Sequence, residues 1–192
     1  MNNEVKVWGI HNTNSEKELL NKNIIAIGWD KLGDVSNIKT REELKEKYKK
    51  VYSEASSQSI ANSAGQVFRF LKEAKIGDYV VFPSKFNRKI NIGKIVGDYV
   101  FDDTENEYPH IRSVKWLKKD IEREKFTQNA LYEIGSFLSW FLIQKNCNEF
   151  IEAIDNKFKN EVDNIEEYSM TDAENILNLT KDYILKTLKT FY

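Results

Sequence analysis

Few side chains in this sequence could make or break a covalent bond. His11 follows a short run of alternating β formers, and His110 follows Tyr108-Pro109. Neither sits in an H-E-x-x-H step or near a repeated Cys, so the ligand spacing of a zinc site is missing. Cys147, the single cysteine, stands among Asn146, Asn148 and Glu149 and reads as a surface or half-buried thiol that has no internal disulfide partner. Glu122-Arg123-Glu124-Lys125, with Asp102, Asp103 and Asp120 before it, has the acid, spacer and base order of a nuclease metal site. Such a site needs its Glu-x-Lys on a central strand, and this stretch is charged throughout. No G-x-x-x-x-G-K-[ST] loop is present to cradle a nucleotide phosphate. The expectation is a chain that is not an enzyme and takes no cofactor and no metal ion.

What remains is the chemistry of binding, and the charge distribution says what could be bound. The 192 residues carry a net charge of -1. That total hides two blocks: Lys39 to Lys94 holds 13 basic against 6 acidic residues, and Phe101 to Tyr192 holds 12 against 18. A basic block of this kind attracts polyanions by counterion release, although Lys45, Lys47, Lys49 and Lys50 read equally well as a solvated helix face. With 41% apolar and 12% aromatic residues the chain can bury a core, and its length suits one domain plus an appendage. No apolar run approaches the roughly 18 to 20 residues of a membrane helix, and Met1-Asn2-Asn3-Glu4 lacks the parts of a signal peptide. A cytoplasmic protein with no membrane partner is expected.

The elements that must position any site follow from periodicity. Glu4 to Ile10 alternates as a strand, Ser15 caps a short helical turn, and Asn23 to Trp29 reads as a buried strand. Thr40 and Glu43 form a capping box for a helix whose Leu44, Tyr48 and Val51 share a face. Ser57 to Lys75 has helical spacing through Ile60, Ala64, Val67, Phe68 and Leu71. Asp78 to Phe82, Ile90 to Val100 and His110 to Leu117 read as a three-stranded meander, with Gly97-Asp98 as a bulge or turn inside the second strand. A Phe126 to Leu131 helix, a Ser136 to Ile143 strand and an Asn148 to Phe158 helix complete the pattern. Five or six short strands with two or three helices predict an α+β fold built on a small mixed β-barrel. The expected division is a domain over residues 1-150 and a linker with a C-terminal helix over 151-192. In the latter, Ile176, Leu177, Leu179, Tyr183, Ile184, Leu188 and Phe191 form an apolar face that wants a partner, either the barrel or a second copy as a homodimer.

The order of Ile27-Gly28-Trp29-Asp30, Asn62 to Phe70, Ile76 to Pro83, Ile92 to Ile95 and Ile111 to Trp116 resembles PUA-like domains of the EVE and YTH type. The segments are most similar to the N-terminal DNA-reading domains of Mrr-like (type IV) restriction endonucleases. The resemblance covers about Val5 to Phe150. It implies a partly open PUA-like barrel with flanking helices that binds nucleic acid, often holding a modified base flipped from its stack. It also implies DNA rather than RNA as partner, and a nuclease or ATPase effector outside this chain. A general RNA-binding PUA-like domain and a protein-interaction or dimerisation module are the alternatives.

A base read singly must leave its stack, which costs a few kcal/mol that ring stacking and hydrogen bonds to its polar edge must recover. Trp29 ends a buried strand as a candidate stacking wall, and Asp30 could accept from an exocyclic amino group; otherwise Trp29 is core and Asp30 a turn residue. Phe82 is a candidate rim ring with Pro83 and Ser84 towards the base, or else core followed by a strand stop. Asn62, Ser63 and Gln66 share one helical neighbourhood and could present amides, or else serve as caps and surface polarity. The resembling family commonly has Arg before this Asn, where this chain has Ala61. Trp8 and Trp116, in alternating strands, fit a core better than a pocket. Lys85, Arg88 and Lys89 fall in a polar loop suited to holding flanking phosphates, with Arg69 and Lys94 as further cations.

Overall fold

The computed structural model describes residues 5–12, 16–104 and 107–156. The described residues form a six-stranded mixed sheet flanked by helices, an open, barrel-like α+β fold. Its elements are β1 (Val7–Ile10), α1 (Glu16–Lys22), β2 (Ile24–Ile27), α2 (Arg41–Val51), α3 (Ser57–Phe68), β3 (Tyr79–Pro83), β4 (Ile90–Phe101), β5 (His110–Ile121), α4 (Gln128–Glu133), β6 (Trp140–Ile143) and α5 (Cys147–Ile154). The sheet order is β2-β5-β4-β3-β1-β6. β3, β4 and β5 form the antiparallel meander that their alternation predicts, and β1 lies parallel to β3. Asn12 at the end of β1 donates to the Ala26 carbonyl of β2 at 3.4 Å, linking strands four places apart and nearly closing the sheet on itself.

Period-two alternation sends successive side chains into two cores. Trp8, Ile10, Val80, Phe82 and Trp140 join α2 and α3 in one, while Val7, Val81, Phe141 and Ile143 join α4 and α5 in the other. The first is built around a stack of Trp8 on Trp140 at 5.0 Å between ring centroids. The buried Asp78 carboxylate accepts from Trp8 Nε1 at 2.9 Å and from the backbone N–H groups of Lys6 and Lys75. Trp8 is therefore a core residue with its polar edge satisfied. Gly9 has no room for a Cβ, because the Phe141 ring stands 2.2 Å from where one would be.

Several boundaries move for identifiable reasons. The helix expected over Ser57 to Lys75 stays regular only to Phe68, then widens into a π turn over Arg69–Glu73. Arg112, buried on β5, donates to the carbonyls of Phe70 at 2.9 Å and Leu71 at 3.0 Å, and so holds carbonyls that the wider turn releases, and it donates also to the Gly97 carbonyl of β4 at 3.2 Å. The bulge at Gly97-Asp98 is present: pairing jumps from Ile95↔Val114 to Tyr99↔Arg112. β6 starts at Trp140 rather than Ser136, because Ser136 folds back to accept from the Leu138 N–H at 3.1 Å. α5 buries Phe150 and Ala153, so the expected boundary at 150 falls inside a packed helix. The Ser15 cap and the helix ending near Tyr192 lie outside the described residues.

Candidate functional site

An open cleft of about 620 Å³ is lined by residues from five separate segments. His11 follows β1, Pro83 ends β3, Ser84, Lys85 and Arg88 come from the turn between β3 and β4, and Tyr108 from the approach to β5. Arg123 follows β5, and Ile134, Gly135, Ser136, Phe137 and Ser139 precede β6. The volume lies in the range of small-ligand sites. Its lining carries Lys85, Arg88 and Arg123, with no Asp or Glu among the described lining residues. Phe137 stands at its edge with 91% of its surface exposed.

The basic wall is held in shape by its own loop. Ser84 Oγ accepts from the N–H groups of Phe86 at 3.1 Å and Asn87 at 3.2 Å, and the Ser84 N–H donates to the Lys89 carbonyl at 2.8 Å. Asn87 donates to Asp120 at 2.9 Å and accepts from the Lys89 N–H at 3.0 Å. These bonds close a short turn that projects Lys85 and Arg88 to the solvent side, both exposed. Arg88 sits at φ 61, a left-handed backbone that non-glycine residues seldom adopt. On the opposite wall, the His11 ring donates through Nε2 to the Ile134 carbonyl at 2.9 Å and meets Phe141 edge-on at 5.3 Å. Gln66, on α3 behind this wall, accepts through Oε1 from the N–H groups of Ser139 at 2.9 Å and Trp140 at 3.2 Å.

Of the residues singled out from sequence, the fold brings Pro83, Ser84, Lys85 and Arg88 into this cleft. Phe82 is corrected to a core residue: it is 2% exposed, its ring 6.2 Å from that of Trp116. Alternation turns it inward while Pro83 faces the cleft. Gln66 is also buried, and its carbonyl oxygen binds the backbone of β6 rather than facing the opening. Asn62 is exposed and accepts from Gln58 at 3.3 Å, and neither it nor Ser63 lines the cleft. Lys89 is ion-paired with Glu122 at 2.8 Å, and that hydrogen bond raises its pKa. Lys94 lies over the Tyr79 ring at 4.6 Å. Arg69 sits apart, on the α2–α3 side of the molecule.

Trp29 occupies a more complicated position. It is half-buried against the first core and held at φ 68, ψ 41, a left-handed conformation unfavourable for so large a side chain. Its carbonyl accepts from His110 Nε2 at 3.3 Å, and Tyr99 Oη meets His110 Nδ1 at 2.7 Å. Burial lowers the pKa of His110, partly opposed by that carbonyl. Asp30 is exposed. The Glu107 carbonyl passes 3.5 Å from the place of a Cβ on Gly28, so the Trp29-Asp30 turn lies beside the segment that carries Tyr108 into the cleft.

Tyr108, Arg123, Phe137 and His11 are among the lining residues that the sequence pattern does not assign to a binding site. Phe137 looked like one more alternating position of a strand, and only the Gly135-Ser136 step before it signals a turn. Among the described residues no group of three or more His, Cys, Asp or Glu side chains is placed to hold a metal ion.

The family model described as "Domain of unknown function (DUF8426)" matches residues 4–135. No curated protein matches the chain. Among solved structures, a Mmi1 YTH domain in complex with RNA is 10% identical, with a TM-score of 0.44 over 82% of this chain and 85% of that one. A further structure of the Mmi1 YTH domain is 11% identical, with a TM-score of 0.41 over 78% of this chain and 98% of that one. A likeness this distant carries no functional weight.

Proposed function

The chain belongs to the DUF8426 family, and we propose that it is a nucleic-acid reader that takes a single extruded base into the cleft between the β3–β4 turn and the start of β6. The observation that carries this reading is the composition of that cleft. Three cations and two rings, Lys85, Arg88, Arg123, Tyr108 and Phe137, line one opening wide enough for a nucleotide. Cations hold the phosphates that flank the base, and rings recover by stacking what unstacking costs. Trp29 and Asp30 are not among the residues lining this opening; their turn follows Gly28, which approaches the Glu107 carbonyl next to Tyr108. The chain acts by binding and leaves any cleavage to an effector.

The finer reading is a DNA reader of a restriction-type system, selective for a modified base and coupled to a nuclease or ATPase. Its support is the resemblance of the five sequence segments to Mrr-like reading domains. Fluorescence anisotropy with matched DNA and RNA oligonucleotides, plain and methylated, tests both levels. Changing Lys85, Arg88 and Arg123 together to Ala should weaken binding at least tenfold and flatten its salt dependence by roughly 2 to 3 phosphate contacts. Phe137→Ala should cost about 1 to 3 kcal/mol, the worth of one stacked base. Wild-type affinity in the triple variant would remove the cleft as interface. Equal affinity for plain and modified strands would remove base selection.

A further inference from the structure

A second cationic feature lies outside the cleft, where α2 meets α3. Arg41, the first residue of α2, reaches across to α3 and donates from Nη2 to the Ala61 carbonyl at 3.2 Å. One turn along α3 stands Gly65, and the absence of a side chain there is what admits the guanidinium. A Cβ on Gly65 would stand 2.6 Å from Arg41 Nη2 and 3.3 Å from its Cζ. The same point is 3.4 Å from Nη1 of Arg69, four residues further along. Two guanidinium nitrogens thus share one seat, at most about 6 Å apart.

This arrangement lacks the counter-charge that would explain it. Among the described residues neither guanidinium has a carboxylate within ion-pair distance, and Arg69 is half-buried with no hydrogen-bond acceptor for its donors. Glu73, the acid whose charge Arg69 senses, is itself paired to Lys6 at 3.9 Å. Burial, and then the charge of Arg41, lower the pKa of Arg69. Arg41 Nη2, with one hydrogen committed to Ala61, and Arg69 Nη1 meet at this glycine-opened seat, and the planar donor forks they belong to match the acceptor geometry of a phosphate group.

We propose that Arg41 and Arg69, seated on Gly65, form a binding site for one phosphate-type oxyanion, and that in function the occupant is a backbone phosphate of the strand whose base enters the cleft. The second half rests on the cleft being a nucleic-acid interface; the oxyanion seat does not.

Two probes separate these parts. Inorganic phosphate, titrated at constant ionic strength against chloride, should raise the melting temperature of the wild-type chain saturably. It should leave R41Q/R69Q unmoved. Gly65→Ala, which keeps both charges but fills the seat, should lose the same response. Circular dichroism without phosphate checks that each variant is folded, and the exposed single change R41Q keeps the test open if Gly65→Ala or the half-buried Arg69 change is not. An equal response of wild type and R41Q/R69Q to phosphate overturns the site. With labelled oligonucleotides, R41Q/R69Q should lower the slope of log K against log salt by about 0.7 to 0.9, one phosphate, and leave discrimination between bases intact. An unchanged slope overturns the strand contact and assigns the seat to free phosphate. Wild-type chain that binds phosphate here but no oligonucleotide refutes the reader function and leaves the seat standing.

Discussion

Gln66→Leu offers a sharp test of how the cleft is built. β6 is the last strand of the sheet, so the N–H groups on its outer side have no neighbouring strand to donate to. Gln66 stands in for that strand, with one side-chain oxygen accepting from Ser139 at 2.9 Å and Trp140 at 3.2 Å. The site is buried, Gln66 being 5% exposed, so water is a poor substitute. Leucine has a similar size and no acceptor. Each abandoned buried donor costs about 1 to 3 kcal/mol, so the two together should cost at least about 2 kcal/mol. For a chain of this length that corresponds to roughly 4 to 8 °C in melting temperature. Gln66→Glu keeps an acceptor oxygen at the same place and should lose less. Because Ser139 also accepts from the His11 N–H at 2.9 Å, the cleft wall should loosen and oligonucleotide binding should weaken with stability. Calorimetry and anisotropy on the three proteins decide the matter. A Gln66→Leu chain that melts within 1 °C of wild type, yet changes its base preference, would refute the structural role and restore Gln66 as a residue that reads the base edge.

Two further outcomes follow from buried polar groups. Arg112→Met keeps the apolar length of the side chain but strips the donors from three carbonyls, and urea unfolding should show a loss of roughly 2 to 5 kcal/mol; a loss under 1 kcal/mol would mean that the π turn finds its partners elsewhere. His110 is fully buried, and burial holds its folded pKa below the unfolded value of about 6.5. The unfolded chain therefore binds a proton first as pH falls, so the contribution of neutral His110 is complete above about pH 7 and is lost as pH drops through 6.5 towards the folded pKa. The difference in urea midpoint between wild type and His110→Gln should shrink from pH 7.5 to pH 5.5. A difference that stays constant would contradict the assignment of a buried, neutral imidazole.

The fold was largely legible because its signals are local. Alternation in Val7 to Ile10, Tyr79 to Pro83 and Ile90 to Phe101 is the same fact as the two cores that those strands face. The Thr40 cap is likewise written in four consecutive residues, with its hydroxyl accepting from the Glu43 N–H at 3.2 Å. Sequence missed what depends on distant partners. The π turn after Phe68 needs Arg112, 42 residues away from the Phe70 carbonyl it holds, and nothing in Arg69 to Glu73 announces it.

The candidate site was legible only where one segment supplies it. Pro83, Ser84, Lys85 and Arg88 are contiguous enough that a strand stop followed by a cationic loop groups them in sequence, and all four line one cleft. Phe82 was misread because a ring next to a binding loop looks the same in sequence whether it faces in or out, and here its side chain packs into the first core. Phe137 shows the converse case. It is 91% exposed, and the proposal that it stacks on a base rests on its place at the edge of a basic cleft. That inference needs the other wall to be known, since the cations that give Phe137 its meaning lie about 50 to 14 residues away along the chain and meet it only when the sheet curls. The Arg41–Arg69 pair repeats the lesson, because Gly65 reads as a weak point in a helix until the guanidinium it admits is seen.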